Sequence, residues 1–249
     1  SVCPIKSVAG VDFRFSDPRL SPIVPDTTLL LMKYPVIATD YDGTLATQGT
    51  VDEATLEALK RYRQAGGRLL LVTGRQLEEL FQVFPHEPLF EGIVAENGAV
   101  FYQPAQGTIR LLAEPLPSVL IDTLIAQGVG PISQGHIVVA TWEPHGETVV
   151  QELGLAATVI RNKKAVMVLP QGINKASGLA VALAELGLGP EQAVGVGDAE
   201  NDRSLLATCG LGVAVANAVP ELKTLADRVT MGDRGAGVQE LIDWLLTEA

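Results

Sequence analysis

Cysteine is almost missing from this chain. Among 249 residues only Cys3 and Cys209 carry a thiol, far apart and with no CxxC pair or neighbouring His. Neither a disulfide framework nor a zinc site is indicated, and a reducing, cytoplasmic setting is expected. Basic side chains are also scarce: 18 Lys and Arg stand against 29 Asp and Glu, a formal net charge of -11. Such a field repels polyanions, so nucleic acid is not an expected partner. Long apolar runs are lacking as well, the longest being about six to eight residues where a membrane helix needs roughly 20. No membrane is expected as a partner either. What is present is ordinary for a folded chain, 47% hydrophobic and 19% charged, and this composition excludes disorder as the main state.

Residues 1–31 hold four of the fifteen prolines, Pro4, Pro18, Pro22 and Pro25, with little periodicity and without the basic start and apolar run of a signal peptide. Residues 1–32 therefore read as an N-terminal extension, with the functional unit beginning near Met32. From Tyr34 onward short apolar runs alternate with amphipathic stretches, the pattern of a parallel sheet covered by helices. Val36-Ile37-Ala38-Thr39, Leu69-Leu70-Leu71-Val72 and Ala193-Val194-Gly195-Val196 are buried-type strands, each ending at a polar residue. Thr50 to Glu53 has the form of a capping box ahead of Leu56, Leu59 and Tyr62 at helical spacing, and Gly66-Gly67 closes that helix. Asn174 can cap a second helix bearing Leu179, Leu183 and Leu186. A short helix is expected over 202–207, a strand over 212–216, and a last helix from Gly237 that carries Val238, Leu241, Ile242 and Leu245.

The middle of the chain reads differently, because Pro104, Pro115, Pro117, Pro131 and Pro144 break it into short pieces. Helices are expected over 118–127 and 146–153, and extended segments over 136–142, 156–160 and 165–169. The fold class expected is α/β: a Rossmann-like parallel sheet core with helices on both faces, formed by 33–112 and 171–249, plus a small α/β cap formed by 113–170.

The polar residues that end the strands carry the chemistry. Open α/β sheets bind ligands beyond the carboxyl ends of their strands, and there stands Asp40-Tyr41-Asp42-Gly43-Thr44. By the two-residue period of a strand Asp40 and Asp42 project the same way, and paired carboxylates either raise one pKa or recruit a cation. Asp-Gly is also a common turn dipeptide. Gly197-Asp198-Ala199-Glu200-Asn201-Asp202 adds oxygen ligands, and carboxylates without His or Cys suit a hard ion such as Mg²⁺. Taken singly, Asp198 and Asp202 read equally as helix caps. Thr73-Gly74-Arg75 supplies a hydroxyl and close-approaching N–H groups. Lys175, in the first turn of a helix, opposes the macrodipole and so calls for an anion, unless it is a solvated lysine.

In this order and at these boundaries the four motifs resemble those of the haloacid dehalogenase superfamily of phosphotransferases. The spacing of about 100 residues between Thr73 and Lys175, with Glu96-Asn97-Gly98 after a strand at 93–95, resembles the branch with a type II cap between the second and third motifs. That branch includes Cof-type and sucrose-phosphate phosphatases and phosphomannomutases. The resemblance implies Asp40 as a nucleophile that becomes an aspartyl phosphate and Asp42 as acid and base. It implies Gly43, Thr73, Gly74, Lys175 and Asn201 as phosphate- or substrate-binding groups. Mg²⁺ would be held by Asp40, the Asp42 backbone carbonyl, Asp198 and Asp202. Arg75 could face the phosphate or pair with an acidic neighbour. His136, Trp142, Arg161, Lys163 and Lys164 are the cap's candidates for substrate contact, although Lys163-Lys164 reads more simply as a hairpin turn. The expected activity is hydrolysis of a small phosphorylated metabolite, a sugar phosphate or phospho-organic acid. The alternatives are a phosphomutase or a non-catalytic phospholigand-binding module. Oligomeric state is not legible.

Overall fold

The structure, a computed structural model, describes residues 32–142, 146–162 and 165–247. The extension read over 1–31 and the Lys163-Lys164 turn lie outside the described residues. Twelve strands among the described residues form two sheets. The larger is centred on β1 (Val36–Thr39), which is buried on both faces. Beside it on one side lie β2 (Arg68–Val72) and β3 (Gly92–Ala95), and on the other β10 (Ala193–Gly197), β11 (Leu211–Ala214) and β12 (Arg228–Val229), all parallel. The runs of Val, Leu, Ile and Ala seen in the sequence are those of strands covered on both faces.

The sheet is not parallel throughout. Beyond β3, β4 (Val100–Gln103) and β5 (Thr108–Leu111) run antiparallel and form one edge. Only four residues, the turn Glu96–Gly98 and Ala99, separate β3 from β4, and a parallel return needs a crossover of a dozen or more residues. The chain has to fold straight back.

Alternate residues of β1 go to opposite layers. Ile37, with Leu69 and Leu71, packs under α1 (Glu53–Gln64), α2 (Leu77–Val83) and α8 (Arg234–Thr247), through Leu56, Leu59, Tyr62, Leu80, Val238 and Leu241. Val36 and Ala38 pack under α5 (Lys175–Glu185), α6 (Arg203–Thr208) and α7 (Pro220–Leu225), through Leu179, Leu183, Leu205 and Leu222. Helix α8 begins at Arg234, ahead of the expected Gly237. Its Gly235 lies so close to Thr55 of α1 that a Cβ would overlap the hydroxyl, so close packing of two helices hides the start of α8 among glycines.

The second sheet is antiparallel, in the order β6 (Ser133–Gln134), β7 (Val139–Trp142), β9 (Ala165–Pro170), β8 (Ala157–Asn162). Helix α3 (Ser118–Ala126) and residues of α4 (Gly146–Glu152) cover one face through Leu120, Leu124, Val149 and Val150 against Val139 and Val168. The opposite face turns Met167 and Leu169 onto the core of the larger sheet. The extended segment expected over 136–142 is a strand only from Val139, for a reason that lies in the site described below.

The cap of α1 falls on Asp52 rather than on Thr50. The Asp52 carboxylate accepts from the Thr55 N–H at 2.8 Å, while the Thr50 backbone is bonded to Thr47 in both directions. Losing a capping side chain costs about 1 kcal/mol. Asp52→Ala is therefore expected to lower the free energy of unfolding by about 1 kcal/mol and Thr50→Ala by less than half as much, measured by urea denaturation; the reverse order would contradict the assignment.

Candidate active site

The larger sheet places its polar strand ends side by side. In the order β10, β1, β2, β3, the residues just beyond the carboxyl ends are Asp198, Asp40, Thr73 and Glu96, at the edge where open α/β sheets bind ligands. Helix α5 brings Lys175 to the same place. Asn174 caps it, accepting from Ala176 N–H and Ser177 N–H at 2.9 and 3.1 Å. Gly98, at φ +106, lets this first turn sit against the β3–β4 turn, since a Cβ there would overlap the Asn174 carbonyl.

The Lys175 ammonium is buried and donates to Asp40 Oδ1 and Asp202 Oδ1, each at 2.5 Å. Asp202 is also held by the N–H groups of Asp198 and Ala199, both 3.0 Å from Oδ2. Thr44 Oγ1 donates to Asp198 Oδ1 at 3.3 Å. Gly43, at φ +90, makes room for Asp198, whose carboxylate a Cβ would overlap; its own N–H donates to the Ala46 carbonyl. Burial by itself would lower the Lys175 ammonium, but attraction to Asp202 and Asp40 outweighs it and the group titrates above its ordinary range. Burial pushes the Asp40 carboxyl up to about 8, opposed by Lys175 and assisted by the repulsion of Asp202 and Asp198.

Asp42 stands apart from this cluster, half exposed, and takes both its hydrogen bonds from Arg75: Nε to Oδ2 at 2.5 Å and Nη2 to Oδ1 at 2.7 Å. Between the two fates open to Arg75, the structure shows the acidic neighbour. The guanidinium also lies 5.5 Å from the centre of the Tyr41 ring, and the hydrogen bonds to Asp42 raise its pKa further. Thr73 is buried, with Oγ1 accepting from the Arg75 N–H at 3.1 Å.

A cavity of about 210 Å³ opens between the two sheets. Asp40, Asp42, Thr73, Gly74 and Arg75 line its floor, and Val138, Ala140 and Met167 of the second sheet line its roof. Lys175, Asp198, Asn201 and Asp202 do not line it; Lys175 bonds to Asp40 and Asp202, Asp198 bonds to Asp202, and Asn201 bonds to Asn97. The cap candidates divide. Trp142 is exposed and Arg161 pairs with Glu147 at 2.8 Å, and neither lines the cavity. His136 lies at its border, with Nδ1 3.3 Å from Glu96 Oε1.

Two site residues have no place in the four motifs. Glu96 and Asn97 are both buried and both have positive φ, +51° and +53°, a conformation that costs a non-glycine residue of order 1–3 kcal/mol and gathers at functional sites. Asn97 Oδ1 accepts from Asn201 Nδ2 at 2.9 Å and its Nδ2 donates to Met167 Sδ at 2.9 Å. The signal in sequence was the Glu-Asn-Gly triplet directly after a buried strand.

Whether these residues suit a metal ion can be judged on charge. Asp40, Asp198 and Asp202 each offer an oxygen within 4.8 Å of the others, and all three are buried. One ammonium faces three carboxylates, so the cluster itself carries an excess of negative charge when all are ionised, and buried charge is costly unless paired. Asn201 Oδ1, buried at the same strand end, has no hydrogen-bond partner among the described residues. An all-oxygen set with this excess charge fits a hard divalent cation.

Known proteins share the family sequence pattern and the fold. The family profile described as haloacid dehalogenase-like hydrolase matches residues 37–128 and 143–242. A phosphoglycolate phosphatase from Methanothermobacter thermautotrophicus is 30% identical over 83% of this chain and 96% of its own length. Among solved structures, a HAD/Cof-like hydrolase from Plasmodium vivax superposes with a TM-score of 0.75 at 20% identity, covering 90% of this chain and 99% of its own. A sugar phosphatase of HAD subclass IIB gives 0.71 at 19% identity, covering 84% and 98%. The chain belongs to the haloacid dehalogenase-like hydrolases. Within that family it is a phosphatase. Among the described residues no helix is long and apolar enough to cross a membrane.

The raised pKa of Asp40 has a consequence for stability. A carboxyl that titrates higher in the folded than in the unfolded state contributes stability that is full below about pH 4 and is lost as the pH rises toward 8. Asp40→Asn escapes this loss. In EDTA, its stability relative to wild type, whatever the offset from losing the Lys175 contact, should rise between pH 5 and pH 8 by about 1 kcal/mol or more, read from urea unfolding; a flat or falling difference would contradict the buried charge excess.

Proposed function

We propose that the protein is a Mg²⁺-dependent phosphomonoesterase that works through an aspartyl phosphate on Asp40. The observation that carries this reading is the pairing of a buried Asp40, held by Lys175, with Asp42 two residues on, both facing one cavity. The core would comprise 33–112 and 171–249, and 113–170 would act as the cap.

The Asp40 carboxylate attacks phosphorus and the bond to the leaving oxygen breaks, with Asp42 giving its proton to the departing alkoxide. Water then attacks the same phosphorus, Asp42 takes the proton, and the bond to Asp40 breaks to release inorganic phosphate. Two displacements of moderate difficulty replace one of great difficulty. Thr73, Gly74, Lys175 and Asn201 hold the phosphoryl oxygens, and Gly43 shapes the loop that carries Asp42. Asp40, the Asp42 carbonyl, Asp198 and Asp202 would hold Mg²⁺, which would supply neutralisation of the phosphate dianion's charge against Asp40. Arg75 holds the Asp42 carboxylate by both oxygens at rest, and at this half-exposed position the pair separates at modest cost, which frees Asp42 to take up and deliver a proton.

The substrate is small. A cavity of about 210 Å³ lies below the usual range of roughly 300–1,000 Å³ for ligand pockets, which suits a phosphate ester of a short metabolite. Relatives named as phosphoglycolate phosphatases put 2-phosphoglycolate among the first compounds to try, beside small sugar phosphates.

The reading is tested by phosphate release from a panel of such esters, with Mg²⁺ or EDTA. Release is expected only with Mg²⁺ and is expected to vanish in Asp40→Asn. Asp42→Asn should lose about 10²–10⁴ in kcat while staying folded. A folded wild type that releases nothing, or an Asp42→Asn protein with unchanged turnover, would count against a phosphatase mechanism built on this pair.

A further inference from the structure

Glu96 lies outside the four motifs, yet its carboxylate bonds to three successive amides of the loop that leads into β7. Its carboxylate is wholly buried. Three consecutive main-chain amides of the second sheet's loop donate to it: His136 N–H to Oε1 at 2.8 Å, then Ile137 N–H and Val138 N–H to Oε2 at 3.0 and 2.9 Å. Gly135 leads into this loop, and a Cβ there would overlap the carboxylate. Three N–H groups converging on an anion make charge-assisted bonds, stronger than neutral ones. They also explain why β7 starts only at Val139: the amides before it are bonded to a side chain of the other sheet.

The other end of the contact is tied to the floor of the site. The Glu96 N–H donates to the Arg75 carbonyl and the Asn97 N–H to the Thr73 carbonyl, each at 3.0 Å. The left-handed backbone at Glu96 and Asn97 is what turns Glu96 toward the second sheet while Asn97 reaches Asn201. Val138, whose amide the carboxylate holds, lines the roof of the cavity above Asp40. Few bonds therefore separate the roof from the phosphate-facing loop: roof backbone to Glu96, and Glu96 backbone to Arg75.

We infer that Glu96 is a positioning residue: its carboxylate latches loop 135–138 to the Thr73-Gly74-Arg75 loop and so fixes the closed height of the roof that meets the organic part of the substrate. This rests on the reading of the Asp40 cavity as the phosphatase site. Glutamine at this position keeps the shape but replaces one acceptor oxygen with an NH₂ that must face an N–H donor. Gly135→Ala attacks the same contact from the loop's side, by steric overlap with the carboxylate and without changing its chemistry.

The test compares wild type, Glu96→Gln and Gly135→Ala in two measurements. Hydrogen–deuterium exchange of the amides of 136–138 should quicken by about tenfold or more in both variants, with exchange of the β1 amides unchanged. With 2-phosphoglycolate and p-nitrophenyl phosphate as probes, kcat/KM should fall about tenfold, carried mainly by KM. Unchanged exchange at 136–138 in a folded variant would overturn the latch. Faster exchange with unaltered kcat/KM would overturn the positioning role. A wild type inactive on every ester would sink the phosphatase reading and the positioning role with it, while the exchange comparison would still decide whether the latch exists.

Discussion

One ammonium among three buried carboxylates is the constraint on which the rest of the structure depends. Lys175 is out of contact with solvent and bonded to both Asp40 and Asp202. Removing one member of such a pair leaves an unpaired buried charge and typically costs 3–5 kcal/mol. The four residues come from three separated stretches of chain, so the sheet order that sets β10 beside β1 and the glycine contact that seats α5 against the β3–β4 turn are both conditions for the pair to form. The site is thus also the meeting point of the core's two halves. The same excess of negative charge that makes it unstable alone is what makes it receptive to a cation and then to a phosphate.

A second tier of polar contacts surrounds this centre and differs from it in kind. Arg75 grips Asp42 at a half-exposed position, where the partners can separate at modest cost. Glu96, in contrast, has no exposure and binds three main-chain amides, with the His136 ring beside them. The surroundings of Asp40 and the contact between the sheets are fixed by buried bonds, and the Asp42 carboxylate is the freer element. This division suits the proposed reaction, in which Asp40 would hold still and Asp42 would carry a proton in and out.

Much of the core was legible because each motif residue terminates an apolar run. Asp40, Thr73 and Asp198 follow strands whose burial on both faces leaves no ambiguity, and Asn174 caps its helix as its position suggests. What escaped reading depends on partners distant in sequence. The β4–β5 edge reverses direction because of a turn length, which hydrophobic pattern does not encode. Residues 136–138 have the composition of a strand, yet their amides go to a glutamate 40 residues upstream. Arg75 was undecided between phosphate and carboxylate for the same reason, since its partner is 33 residues away. Asp52 displaced Thr50 as the cap because a local backbone bridge had already used Thr50.

The account rests most on the claim that the acidic cluster at Asp40 is built to receive a divalent cation, and titration calorimetry with Mg²⁺ tests it most directly. Wild-type protein stripped with EDTA and then freed of chelator should bind one ion per chain, and Asp198→Asn should bind it at least about tenfold more weakly while remaining folded. Equal affinity in the two proteins, or no binding by the wild type, would contradict the account.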